Sequence, residues 1–332
     1  MSQATLKREL HAAIKQAGNK DSTFDAYWPV VMDFVNTTRR HRGNRITRDQ
    51  ITEDDVYYFR NVLANDRNQS PRTVNQAMSA IRFLFERVLH RTLEQRETDP
   101  LRLKQPTRQR RRNISANQIT QVIQALSPHD QLIALMMFGC MSRLNDILNL
   151  RIKDLNFDFQ QAEIADCKHD HFRIVPLPES LHQRIHQQIR NVEHFHRRDQ
   201  QRGNPGVPVP KSFATKSPTA PLLIDWFWLF PSRSLSRDPS DPTAPKMRWH
   251  INDDAFRKRF TAAVRSSGVR RRITPHDMRR AGATHFYRRT KDIERLQTIL
   301  GHNSIEQTFD YIFEDEIAIS GQDSPIDAIL AA

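Results

Sequence analysis

The segment from Thr274 to Tyr311 concentrates the side chains best able to do chemistry. Thr274 followed by Pro275 is a helix start, because proline at the first helical position gives up an N–H that had no partner there. His276 and Arg279 then fall at i and i+3, on one face of the helix, and can converge on one anion. Asp292 caps a further helix that ends at Gly301, a residue type suited to the left-handed geometry of a helix terminus. His302 is presented immediately after it. Ser304 and Gln307 have the spacing of a capping box, which starts a helix carrying Tyr311 about two turns later. A tyrosine hydroxyl has an ordinary pKa of about 10. Its attack on a phosphodiester at neutral pH therefore needs help with the proton and with charge developing on the phosphorus oxygens. Guanidinium groups supply the second kind of help without a metal, since they stay protonated and their fork matches phosphate oxygens.

The rest of the chain must hold these groups in place. It has 332 residues, enough for two domains with ordinary cores. Lys and Arg number 51 against 38 Asp and Glu, a formal charge of +13 that favours a polyanionic partner, nucleic acid above all. The longest apolar run, Leu132 to Met141, is far short of the ~20 residues of a membrane span. The beginning of the sequence lacks a secretory apolar stretch, so a cytoplasmic protein is expected. Two cysteines, Cys140 and Cys167, offer neither a disulfide framework nor zinc-ligand spacing. His182 and His186 lie at i and i+4 but lack a third ligand, and no metal or other cofactor is expected.

Low glycine and abundant Leu, Ile, Gln and Arg predict a mainly helical (α+β) chain. From Thr23 to about Leu93 apolar residues recur at helical spacing, clearest in the stripe Val74, Ala77, Ile81, Leu84, Phe85 and Val88 after the Ser70-Pro71 start. Residues 1–101 are therefore expected to form a helical DNA-binding bundle, with Arg72 at one helix start. Asp99-Pro100 breaks the pattern, and Arg102 to Arg112 follows with six basic residues and no acid. This basic linker, 102–113, holds Lys104, Arg108, Arg110, Arg111 and Arg112, which can track a phosphate backbone. Ser115 and Gln118 form a capping box that opens a second domain, 114–332. Within it, Phe157 to Ile164 and Phe172 to Leu177 read as a β-hairpin around a polar turn holding Lys168. Prolines crowd Gly203 to Pro245 around Trp226-Phe227-Trp228, an elaborated connection rather than regular structure.

The pattern TPHDMRR, then GH, then a tyrosine ten residues beyond that glycine resembles the C-terminal signature of tyrosine recombinases, the family of phage integrases and Xer-type resolvases. The stretch FGCMSRLNDILNLRIKDL is similar to the one that carries the family's first arginine. That places it at Arg143, with Asp146 as a supporting acid, and Lys168 matches the family's hairpin lysine. The resemblance implies a SAM-like helical bundle joined to a mostly helical catalytic domain with a small β-sheet. It implies electrostatic roles for Arg143 and Arg279, a general base in His276, a general acid in Lys168, a phosphate bond from His302, and Tyr311 as nucleophile. A 3′-phosphotyrosine link would conserve the bond energy, so cutting and rejoining would need no ATP, and a homotetramer would hold two DNA sites. The insertion at 203–245 and the ending SPIDAIL further resemble integron integrases, which act on folded single-stranded sites. Trp226 and Trp228 are then candidates to stack on unpaired bases, although a simple core role for at least two of the three aromatics is the competing reading. Met141 and Gly282 depart from the family's usual residues, a common glycine and a common aromatic. A phage or transposon integrase, an Xer-like resolvase and a DNA-binding protein without chemistry are the alternatives.

Overall fold

A computed structural model of the chain describes residues 2–43, 47–94, 100–105, 114–166, 171–238, 241 and 243–313. The chain divides into two compact units, Met1–Gln109 and Arg110–Ala332. It is mainly helical with one small sheet, as the composition predicts. No helix among the described residues is long and apolar enough to cross a membrane.

The first unit packs α1 (Gln3–Gln16), α2 (Asp21–Arg42), α3 (Glu53–Asn61) and α4 (Pro71–Phe83) around one core. The helical bundle thus begins twenty residues before Thr23, where the spacing of apolar residues first suggested it. Leu6, Leu10 and Ile14 recur at i, i+4 and i+8 along α1 and are buried, giving that helix its inward stripe. Ser70 caps α4 by accepting from the Thr73 N–H, and all six residues of the predicted stripe are buried. Each of the five larger side chains in it contributes about 1.5–3 kcal/mol to the bundle. The expected linker starts inside this unit, because Asn75 on α4 holds both backbone groups of Leu103, at 2.7 and 2.9 Å. Arg72 and Lys104 are exposed. Arg108, Arg110, Arg111 and Arg112 lie outside the described residues.

The second unit opens with α5 (Ala116–Gln124), started by the Ser115–Gln118 capping box, and α6 (Pro128–Gly139). The short α7 (Leu144–Leu148) follows directly. A three-stranded antiparallel sheet comes next, β1 (Leu155–Asn156), β2 (Gln161–Asp166) and β3 (His171–Pro176), in that order. The predicted hairpin is present, but its first strand starts four residues late. Phe157 to Gln160 form the β1–β2 turn, closed by Gln160 at a positive φ of 53°. The turn of the β2–β3 hairpin, with Lys168, lies outside the described residues.

Beyond the sheet runs α8 (His182–Gln201), where His182 and His186 both pack on Phe157, and no metal-binding cluster exists among the described residues. Among its described residues the proline-dense connection contains one short α-helix, α9 (Lys211–Lys216), and two 3-10 turns at Ala220–Leu222 and Ile224–Trp226. A buried ion pair between Arg248 and Asp199 braces it. The unit closes with α10 (Asp253–Ser266), α11 (Pro275–Thr290), α12 (Ile293–Leu300) and α13 (Ile305–Phe313).

α11 packs closely on α6, and there the two unusual residues explain one another. A Cβ at Gly282 would lie 2.0 Å from the Phe138 carbonyl oxygen and 3.3 Å from Met141 Cγ. Met141 itself holds a left-handed φ of 50° while its side chain is buried. Glycine at 282 lets the helices touch, and methionine at 141 fills the space beside it. The backbone strain at Met141, of order 1–3 kcal/mol, is opposed by that burial.

Candidate active site

Five of the six expected catalytic residues lie within the described chain, and α11, α12, α13 and α7 bring them together. α11 starts as the sequence implied, with an added device: Asp277 accepts from both the backbone N–H of Thr274, at 2.8 Å, and its hydroxyl, at 2.6 Å. From this first turn His276 is exposed and Arg279 is 1% exposed. Asp292 caps α12 through the Arg295 N–H, and Gly301 ends that helix in the left-handed conformation. Ser304 caps α13 through the Gln307 N–H, while the Gln307 side chain reaches back one residue further than expected, to the Asn303 N–H.

Tyr311 on α13 sits between the two histidines. Its ring centroid is 5.4 Å from that of His276 and 5.3 Å from that of His302, both edge-on. The phenol oxygen is buried without a well-formed hydrogen bond. Burial raises its pKa, and the neighbouring Arg279, whose Cζ is 5.8 Å from the ring centroid, pulls it back only in part. The hydroxyl is therefore protonated at neutral pH and needs a base before it can attack. Arg280, the next residue on α11, donates to the Tyr311 carbonyl at 3.0 Å and ties α13 to the helix of Arg279.

Arg279 donates through Nη2 to the Leu300 carbonyl at 2.8 Å, while its Nε and Nη1 are buried without hydrogen-bond partners. Burial lowers its pKa to about 10, which still leaves it charged at neutral pH. Arg143 is the exposed N-cap residue of α7, and its backbone N–H donates to Asp146 at 2.9 Å. Its guanidinium charge acts on Tyr311, Arg279 and His302 alike. Two cationic forks near a buried hydroxyl have the charge and shape that a phosphate oxygen pair would need.

His302 is buried rather than displayed at the turn. Its Nδ1 lies 3.0 Å from the hydroxyl of Thr308, which is fully buried and also 3.3 Å from the Ser304 carbonyl. Burial first, and then the charges of Arg279, Arg143, Arg173 and His276, lower its pKa to about 4. An NMR titration is expected to find His302 neutral down to about pH 5, and an imidazole charging near pH 6.5 would contradict this placement. Between pH 6.5 and 4 the unfolded chain binds this proton first, so His302 withdraws stability as pH falls through that window.

Two residues of the site escaped the sequence reading. Thr308, one turn before Tyr311, could have been noticed from its spacing to His302. Arg173 on β3 is buried, bonds Asp146 through Nη2 and lies against Gly301. Its strand inverts the usual alternation: Phe172 and Ile174 are exposed, while Arg173 and Val175 turn inward. A lone arginine at an inward position of a strand was the available signal.

The aromatic trio follows the core reading at Phe227 and Trp228, and Trp228 is withdrawn as a candidate for base stacking. Trp228 is 6% exposed, donates its indole N–H to the Arg248 carbonyl at 3.1 Å and carries the Arg151 guanidinium 3.7 Å from its ring centroid. It has no face left for a base. Phe227 is likewise core, and Trp226 is half-buried, 4.4 Å by ring centroids from the partly exposed Phe213 of α9.

Comparisons with known proteins agree with this architecture. The phage integrase family pattern matches residues 112–316, and that of its N-terminal SAM-like domain matches residues 6–95. An integrase/recombinase of Escherichia coli is 30% identical over 275 residues, which cover 83% of this chain and 80% of that protein. Tyrosine recombinase XerA of Pyrococcus furiosus is 24% identical, over 73% of this chain and 70% of its own. Among solved structures, XerH recombinase bound to its difH substrate superimposes with a TM-score of 0.61 at 17% identity, covering 98% of this chain and 84% of that one. A lambda integrase tetramer bound to a Holliday junction does so with a TM-score of 0.63 at 13% identity, covering 96% and 81%. With the family pattern spanning most of the second unit, and a tyrosine, two arginines and two histidines gathered within it, the chain belongs to the phage integrase family of tyrosine site-specific recombinases.

Proposed function

We propose that this recombinase is an integron integrase, which captures or excises gene cassettes through a 3′-phosphotyrosine intermediate. The observation that carries the chemistry is the buried Tyr311 hydroxyl, held beside Arg279 and flanked by two histidines. Arg143 and Arg279 hold the scissile phosphate, Tyr311 attacks it, and the exposed His276 takes the phenolic proton. His302 donates to a phosphate oxygen from Nε2, which requires the Thr308 hydroxyl to turn its one proton from the Ser304 carbonyl to Nδ1. Lys168 protonates the leaving 5′ oxygen. No step uses a metal or ATP. Arg72, Lys104 and the basic residues of 102–113 track the DNA backbone, and four copies hold two sites, consistent with the relatives crystallised on DNA.

The integron assignment rests on the connection at 203–245. There Phe213, Leu222 and Leu223 are exposed, and Trp226 backs Phe213. This small apolar surface on a connection that also carries the exposed Lys216 suits unpaired bases better than a duplex edge. The test pairs a nicked duplex site with a folded single-stranded site in EDTA, read as a protein–DNA band that survives SDS. Phe213→Ala is expected to slow the folded substrate about tenfold and the duplex little, since one base stack is worth ~1–3 kcal/mol. Equal slowing of both substrates favours a phage integrase or resolvase acting on duplex sites.

A further inference from the structure

The side chain least accounted for by this chemistry is the buried arginine of β3. Asp146 sits among three arginines. Its carboxylate caps α7 at the Arg143 N–H, bonds the Arg173 guanidinium directly, and stands 3.7 Å from Arg279 Nη1, beyond hydrogen-bond reach. One carboxylate against three guanidiniums leaves a net positive site, and the carboxylate's direct side-chain bond goes to Arg173 rather than to Arg279. Arg279, in consequence, keeps Nε and Nη1 unbonded beside Tyr311. The stem of Arg173 also packs on the turn before His302, where a Cβ at Gly301 would lie 3.2 Å from Arg173 Cδ.

We propose that Arg173 is a positioning residue: by occupying Asp146 it stops that carboxylate from capturing Arg279, and so leaves the Arg279 fork open for the scissile phosphate. The inference rests on the phosphoryl-transfer reading given above. Asp146 must stay charged and close, because it orients the start of α7 and with it Arg143. A carboxylate so placed would draw the nearest unpaired cation into a direct, desolvated pair. With Arg173 gone, the nearest is Arg279. A purely structural arginine would make no such demand, since apolar residues of similar volume fill interior space at equal or lower cost.

The two readings differ in the sign of their coupling to Asp146. Arg173→Ala, Asp146→Asn and the double variant are compared with the wild-type chain in full length. DNA affinity, melting temperature and the single-turnover rate of covalent adduct formation on a nicked site are measured for each. Asn keeps an oxygen for the Arg143 N–H but carries no charge to capture Arg279. Arg173→Ala is expected to bind DNA within about threefold of wild type and to form adduct on the order of a hundredfold more slowly, the usual cost of a misplaced catalytic group. Adding Asp146→Asn to it should restore the rate by about tenfold. Arg173→Lys, which keeps a charge on Asp146, should lose less than Arg173→Ala. If Arg173→Ala fails to fold, Arg173→Gln, which keeps a stem against Gly301, carries the same comparison. An unchanged rate in the single variant, or a double variant as slow as the single or slower, overturns the inference. Absence of adduct from the wild-type chain would instead overturn the function on which it rests.

Discussion

Replacing Tyr311 by Phe is expected to abolish the covalent protein–DNA product while DNA affinity stays within about threefold. The phenol oxygen is the only atom removed, and it carries no well-formed hydrogen bond whose loss would unsettle the fold. The ring, packed edge-on to His276 and His302, would keep its place. Affinity for DNA comes chiefly from cation–phosphate contacts distributed over a surface, none of which involves this hydroxyl. Loss of a nucleophile typically costs about 10⁴-fold or more in rate. With a nicked site in EDTA, the wild-type chain should give a band stable to SDS, and Tyr311→Phe should give none. A band persisting in the variant would move the nucleophile elsewhere, with Tyr287 on α11 the next to test. Tight binding with no band from either protein would favour a DNA-binding protein without chemistry.

The site was largely legible because its residues are clustered in sequence and their spacing has local causes. Proline at the start of α11, aspartate at the start of α12 and glycine at its end are short-range signals, and each marks the boundary it implied. The helix faces followed from periodicity, as the buried stripe of α4 illustrates. What stayed hidden depends on contacts far apart in the chain. Arg173 and Asp146 are 27 residues apart and meet only once β3 has been laid beside α7. Which two of the three aromatics are core was not legible, because nothing local shows that Arg151 and the Arg248 backbone close over Trp228. The pairing of Met141 with Gly282 is of the same kind: two departures from a family pattern, separate in sequence, become one packing solution when α6 meets α11.

After loss of the Tyr311 hydroxyl, Arg279→Ala should be the most damaging single change. This guanidinium has two tasks that pull in different directions. It holds the end of α12 through the Leu300 carbonyl, and it lends charge to the phenol and to the phosphate beside it. Removal leaves a buried carbonyl unpaired, a cost of about 1–3 kcal/mol in stability. It also takes away a preorganised donor in a water-poor site, which typically lowers a rate by about 10²–10³-fold. Without the arginine, burial is opposed only by the charges of Arg280 and Arg143, so the phenol's pKa rises further and the pH at which the adduct forms fastest should move upward. Arg279→Lys separates the tasks. Lysine restores a point charge, but it cannot reach Leu300 and the phosphate through one planar fork. The lysine variant should therefore recover part of the pH shift while remaining at least about tenfold slow. Single-turnover adduct formation between pH 6 and 9 measures both quantities. Equal pH profiles in wild type, alanine and lysine variants would mean that Arg279 does not act on the nucleophile, and would leave Arg143 as the main source of charge at the phosphate.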